Sequence, residues 1–227
     1  GATADNLVAG DTLATTTQVS GTNAGTYDYV LDANDIVITD ADGNSMIGNY
    51  NLVGFTAGAL NIAKAAVTVD VNGSKIYDGT TAMGDSTFTY GVTYTNGGAG
   101  FDNAMFEVTD FVYSSKNVHT DQNATGTAGL LNNAGNNFEV TFNYSGSITA
   151  RDLNITANSG SAVYNGNVHT LSGATADNLV AGDTLAALTS VTGTNAGTYD
   201  YILDADSITI TDADGNSMLG NYNLVGF

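Results

Sequence analysis

NAGTYDYVLDANDIVITDADGNSMIGNYNLVGF occupies residues 23–55, and NAGTYDYILDADSITITDADGNSMLGNYNLVGF occupies residues 195–227. Traced outward, the match extends over Gly1–Phe55 and Gly173–Phe227, where 46 of 55 positions are identical at an offset of 172. The exchanges are mostly mild, such as Val30 for Ile202 and Ile47 for Leu219. Copies this close mark recent duplication in a tandem array. The 227 residues amount to one period of 172 plus 55 and open without Met, so a window on a longer array is the expectation. Inside the quoted stretch Ile36-Val-Ile-Thr and Ile208-Thr-Ile-Thr alternate as half-buried strands do. The Asp-Gly-Asn at 42–44 and 214–216 that follows them supplies turn chemistry.

The same alternation recurs along the rest of the chain. It is seen in Val67-Thr-Val-Asp-Val, Phe88-Thr-Tyr, Phe138-Glu-Val-Thr-Phe-Asn-Tyr and Thr198-Tyr-Asp-Tyr-Ile-Leu. Asn72-Gly73, Asp78-Gly79, Asn96-Gly97-Gly98 and Asn165-Gly166 read as the intervening turns. No segment holds a helical period with caps. The expected fold class is therefore all-β, with tandem antiparallel β-sandwich-like modules arranged end to end. Three segments are expected: 1–60, 61–150 and 151–227. The first is a partial copy of the third, without the strands equivalent to Asp152–Ser172. The two copies are expected to share one strand order. Their junctions carry no flexible linker, which predicts a stiff rod.

Composition narrows the classes. There are 28 Gly and no Cys, Pro or Trp, so no disulfide staples the fold. Apolar content of 42% is enough for packed cores. The formal charge of −19, set against only Lys64, Lys75, Lys116 and Arg151, repels nucleic acid and anionic lipid. No apolar run is long enough for a membrane span.

Three clusters resemble a known family. Tyr77-Asp-Gly-Thr-Thr, Ser115-Lys-Asn-Val-His-Thr and Asn143-Tyr-Ser-Gly-Ser-Ile-Thr-Ala resemble the YDG domain of large bacterial surface proteins. Tyr164-Asn-Gly, Gly182-Asp-Thr-Leu, Asn195-Ala-Gly-Thr-Tyr and Gly220-Asn-Tyr-Asn-Leu resemble the related MBG-type module. Ala63 and Ala150 stand where that family usually carries Pro. The resemblance implies a secreted, filamentous-haemagglutinin-like adhesin. Its segment would act as a stalk in adhesion or biofilm, outside the cell or on its surface. A self-assembling filament subunit completed by strand exchange is the alternative, as is a glycan- or calcium-dependent binding module. Expected partners are neighbouring repeats, further copies of the chain, or surface glycans.

Few residues offer chemistry. Asp40, Asp42 and Asn44, with their counterparts Asp212, Asp214 and Asn216, alternate oxygen donors as a calcium loop does. They lack the distal bidentate Glu, and plain hairpin turns use the same residues. Calcium is the one candidate cofactor, with Asp32, Asp35, Asp204 and Asp206 as further oxygen donors. His119 and His169 sit in different modules without Cys or Glu beside them. Glu107 and Glu139 alternate onto solvent faces. Lys75 and Lys116 read as solvent-reaching side chains. No nucleophile elbow or triad pattern is present, and no enzyme is expected. Tyr27 and Tyr29, like Tyr199 and Tyr201, share a strand face that could stack on sugar or close a core wall.

Overall fold

A computed structural model describes residues 1–226; Phe227, the last position of the expected 151–227 segment, lies outside the described residues. Regular structure among them consists of sixteen strands and six single-turn 3-10 helices, with no α-helix. The fold is all-β. The chain divides into two compact units. One gathers Gly1–Val67, Tyr94–Phe101 and Asn132–Val140; the other gathers Thr68–Thr93, Asp102–Leu131 and Thr141–Phe227.

In the first unit β1 (Thr12–Thr15) pairs antiparallel with β3 (Ile36–Thr39), from Thr12 opposite Thr39 to Thr15 opposite Ile36. This ladder buries Ile36 and Ile38 on its inner face. Separately, β2 (Gly25–Tyr29) pairs antiparallel with β4 (Gly58–Ile62), with Tyr27 opposite Leu60. The 132–140 segment ties on by side-chain amides. Ala24 N–H donates to Asn137 Oδ1 at 2.8 Å, and Asn137 Nδ2 donates to Asn23 Oδ1 at 3.0 Å.

A five-stranded sheet is built from β5 (Ala65–Ile76), β6 (Thr87–Tyr94), β7 (Phe106–Tyr113), β8 (His119–Leu130) and β9 (Phe138–Thr149), in the order β6-β5-β9-β8-β7. Its two edge strands are β6 and β7, yet their rings meet. Phe88 lies 5.2 Å from Phe111, and Tyr90 lies 5.0 Å from Phe106, both edge-on. The sheet therefore curls around an aromatic core, as strand twist permits. Asn72-Gly73, expected as a turn, instead lies inside the twelve-residue β5. The reason is packing rather than turning: a Cβ on Gly73 would fall 2.8 Å from the Phe111 ring. The glycine is a flat seat for an aromatic side chain. Glu107 and Glu139 are exposed on their strands, as the alternation predicted.

The rest of the second unit is the C-terminal module. Here β10 (Arg151–Ala157) lies between β12 (Ala174–Asp177) and β16 (Tyr222–Gly226). β11 (His169–Ser172) pairs with β14 (Ser190–Gly193), and β13 (Thr184–Ala187) with β15 (Ile208–Thr211). All these pairs are antiparallel except β10 with β16, which is parallel and departs from the antiparallel expectation. Leu153, Ile155, Leu203, Ile208, Ile210, Met218 and Tyr222 form the core.

The two near-identical copies agree in part. The β13–β15 ladder repeats the β1–β3 register residue for residue at the offset of 172. Elsewhere they differ, and the partner decides. Residues 174–177, 190–193 and 222–226 are strands because β10 and β11 lie beside them. Their counterparts at 2–5, 18–21 and 50–54 have no such neighbour and are not strands. Conversely β2 pairs with β4, while the identical Gly197–Tyr201 is not a strand. The expectation of one common strand order therefore holds only for the central ladder. A backbone N–H finds its partner in a neighbour or in water, and sequence alone does not supply the neighbour.

Candidate functional site

The Tyr77-Asp78-Gly79 turn follows β5 and forms a joint with the C-terminal module inside the second unit. Period-two alternation along β5 puts Val67, Val69, Val71, Gly73 and Lys75 on the buried face. Lys75 is 5% exposed, which corrects the expectation of a solvent-reaching lysine. Its Nζ donates to Asp78 Oδ1 at 2.8 Å, to Thr80 O at 2.9 Å and to Ala82 O at 2.8 Å. It also sits 5.1 Å from the centre of the Tyr113 ring. The ammonium thus gathers the 78–82 loop around itself. Burial pulls the Asp78 carboxyl up, but its bonds to Lys75 and Thr80 outweigh that and hold it below the usual carboxylate range.

Tyr77 is fully buried, edge-on to Tyr222 with ring centres 5.4 Å apart. Both hydroxyls donate to one oxygen, Asp183 Oδ2, at 3.0 Å from Tyr77 and 2.6 Å from Tyr222. Burial, and then the Asp183 bond and charge, push the Tyr77 phenol up to about 12; the same causes raise Tyr222. Gly79 has φ +78°, and a Cβ there would meet Val180 at 2.8 Å. Only glycine suits both the backbone and the contact. Arg151 Nε donates to Asn178 O at 2.9 Å, and its Nη1 to Tyr77 O at 3.3 Å. Lys116 Nζ reaches Asp212 Oδ2 at 3.1 Å. The buried Asn221 accepts from Val118 N–H at 2.8 Å and donates to Asn117 Oδ1 at 3.0 Å. One residue, Ala150, separates β9 from β10.

The first copy repeats the receiving bonds. Tyr50 OH donates to Asp11 at 2.6 Å and accepts from Val8 N–H at 3.0 Å, matching Tyr222 with Asp183 and with Val180 N–H. Val8 is 61% exposed and Asn49 is exposed, whereas Val180 is half-buried and Asn221 buried.

The calcium candidates occupy the turns that close the two central ladders. Asp40 accepts from Asp42 N–H at 3.0 Å, Asn44 N–H at 2.8 Å and Asn44 Nδ2 at 3.0 Å. Asp212 does the same with Asp214 and Asn216, and its cationic neighbour is Lys116. Asn216, first through its side chain and then through its backbone, holds Asp212 at about 2, with Lys116 adding to the effect. Asp42 and Asp214 face solvent. Asp32 and Asp35 cap a 3-10 turn reciprocally, and Asp204 caps the equivalent turn with Ser207. Among the described residues no group of three or more His, Cys, Asp or Glu is placed to hold a metal ion. His119 lies in the curled sheet, and His169 lies in β11.

A cleft of about 550 Å³ opens in the C-terminal module. Tyr164, His169, Thr198 and Tyr199 are among its lining residues. His169 Nε2 is buried there without a partner. No helix among the described residues is long and apolar enough to cross a membrane. No family model, curated protein or solved structure matches the chain.

Proposed function

We propose that the chain is a structural repeat segment of an extracellular bacterial adhesin or surface fibre of YDG/MBG type, acting as a stiff stalk with its modules end to end. The observation that carries this reading is the joint around Tyr77. Strand β9 passes into β10 through a single residue; the turn beside them is held by the shared Asp183 carboxylate and Arg151, and Lys116 and Asn221 tie the neighbouring 116–118 stretch to the same module. Load applied along the backbone must shear these bonds together, and side-chain networks resist as a set. Three of the four cations, Lys75, Lys116 and Arg151, serve this joint, and the formal charge of the chain is −19. The reading needs no catalytic group.

Protease shaving of intact producing cells tests the location, and scattering of the purified chain tests the form. The expected outcome is release of repeat fragments from unbroken cells, together with an elongated, monomeric scattering profile. Protection of the repeats until cells are lysed would overturn the assignment.

A further inference from the structure

Gly197–Tyr201 and Gly25–Tyr29 are the same pentad, GTYDY. In the first copy it is paired along its whole length with Gly58–Ile62; in the second it has no strand partner among the described residues. Even so, the unpaired pentad keeps the side-chain arrangement of the paired one. A Cβ on Gly21 would fall 2.3 Å from the Tyr27 ring, and one on Gly193 would fall 2.4 Å from the Tyr199 ring. Tyr27 OH donates to Asn23 O at 2.9 Å, and Tyr199 OH to Asn195 O at 3.0 Å. Tyr29 OH donates to Thr17 O at 2.9 Å, and Tyr201 OH to Thr189 O at 2.8 Å. The cover differs: Tyr27 is half-buried, whereas Tyr199 is 44% exposed and borders the cleft. The Asn137 bond that Ala24 makes has no counterpart at Ala196.

We propose that Gly197–Tyr201 is a preorganised strand acceptor whose occupant is a strand of the Gly58–Ile62 sequence, delivered by the succeeding repeat of the array. The inference rests on the repeat-array reading above. The occupant's register is copied from the first unit: its Ile62 opposite Gly197, its Leu60 opposite Tyr199 and its Gly58 opposite Tyr201. Main-chain bonds supply the attraction, and the Leu–Tyr pair sets the register. Counting selects the source. Residues 1–227 hold GTYDY twice and the Gly58–Ile62 sequence once, and β2 already pairs with that one. Exchange with a second copy would fill one acceptor by emptying another, so it gains nothing. A succeeding repeat brings a new donor at high effective concentration.

The test uses the full chain and an extended version with a copy of Thr56–Lys64 appended after Phe227, which restores the offset of 172. A third version carries Leu60→Asp in the appended copy only. Amide exchange by mass spectrometry is expected to slow at least about tenfold over 197–201 in the extended chain. It is expected to stay fast in the parent and in the substituted version, with 25–29 unchanged throughout. No slowing in the extended chain overturns the proposal, and so does equal slowing with Leu60→Asp. Slowing in the parent as its concentration rises would assign the edge to a second copy, and slowing on addition of oligosaccharides would assign it to a glycan; either overturns the stated occupant. Shaving of intact cells is read independently, so failure here and failure of the surface assignment are distinguishable.

Discussion

Lys75 shows how much a single residue can hold. It sits on the apolar face of β5, and its ammonium reaches the loop that follows. Replacing it by Met removes the donor from Asp78, Thr80 O and Ala82 O at once. Breaking such a buried pair from one side is expected to destabilise by about 3 kcal/mol in denaturant titration. Tyr77→Phe removes one bond to Asp183 and leaves the ring packed, so a loss of about 1 kcal/mol is expected. If the Phe variant matched the loss of Tyr77→Ala, the shared carboxylate rather than the buried ring would be the main support. The pH profile follows from the same groups. Asp212 is held at about 2, and Asp78 is also lowered. A lowered carboxylate contributes stability that is complete above its unfolded value of 3.8 and is lost as pH falls through the folded value. Tyr77, raised from 10.0 to about 12, contributes below pH 10 and loses that contribution as pH rises toward 12. Melting temperature by circular dichroism should therefore fall below about pH 4 and again above about pH 10. A curve flat from pH 10 to 12 would contradict a buried hydroxyl–carboxylate pair. The sequence hid Lys75 because lysine ordinarily reaches solvent, although its even spacing from Val67, Val69 and Val71 placed it on their face.

The alternating runs at 36–39, 67–71, 88–90, 138–144 and 208–211 all lie within strands, so the β elements were legible wherever a partner is present in the chain. Thr198-Tyr-Asp-Tyr-Ile-Leu has the same pattern and is not a strand, because the pattern specifies a face and not a neighbour. Asn72-Gly73 misled in the opposite direction, since a glycine under an aromatic ring and a glycine in a turn look alike in sequence. The joint was visible only as a motif, Tyr-Asp-Gly. Its socket, Asp183 with Tyr222, lies more than a hundred positions away and no local pattern connects them. Amide exchange should expose the contrast between copies. Residues 190–193 are expected to be protected by β11, while 18–21, which lack that partner, exchange freely. Equal protection of the two segments would mean that the first copy finds another partner in solution.

Across the whole chain, charge and burial work against each other. The formal charge of −19 opposes compaction. Salt screens exposed charges within about 10 Å at 0.1 M, so the melting temperature is expected to rise as sodium chloride goes from about 10 to 150 mM. A fall would mean that the Lys116 and Arg151 contacts outweigh the general repulsion. Burial is unevenly shared. Residues 1–55 bury only Ile36 and Ile38, against seven core side chains within 151–226. Two buried isoleucines, at about 1.5–3 kcal/mol each, fall well short of the ordering entropy of 55 residues. A peptide of residues 1–55 is therefore expected to be unfolded by circular dichroism, and 151–227 to melt cooperatively. A cooperative monomeric transition in the short peptide would place its support within itself.

The first copy holds Tyr50 against Asp11 and closes its Asp40 turn as the second holds Tyr222 against Asp183 and closes its Asp212 turn. In a polypeptide threaded through a pore with its amino end leading, the Tyr77 turn would emerge well before the pair that receives it. Two buried isoleucines do not hold a stretch like 1–55 by itself, so each newly emerged stretch would wait for its neighbours before its central ladder became stable. Such a fibre would fold in the order of export, and a stalled or truncated chain would carry finished repeats up to the one before the place where it stopped.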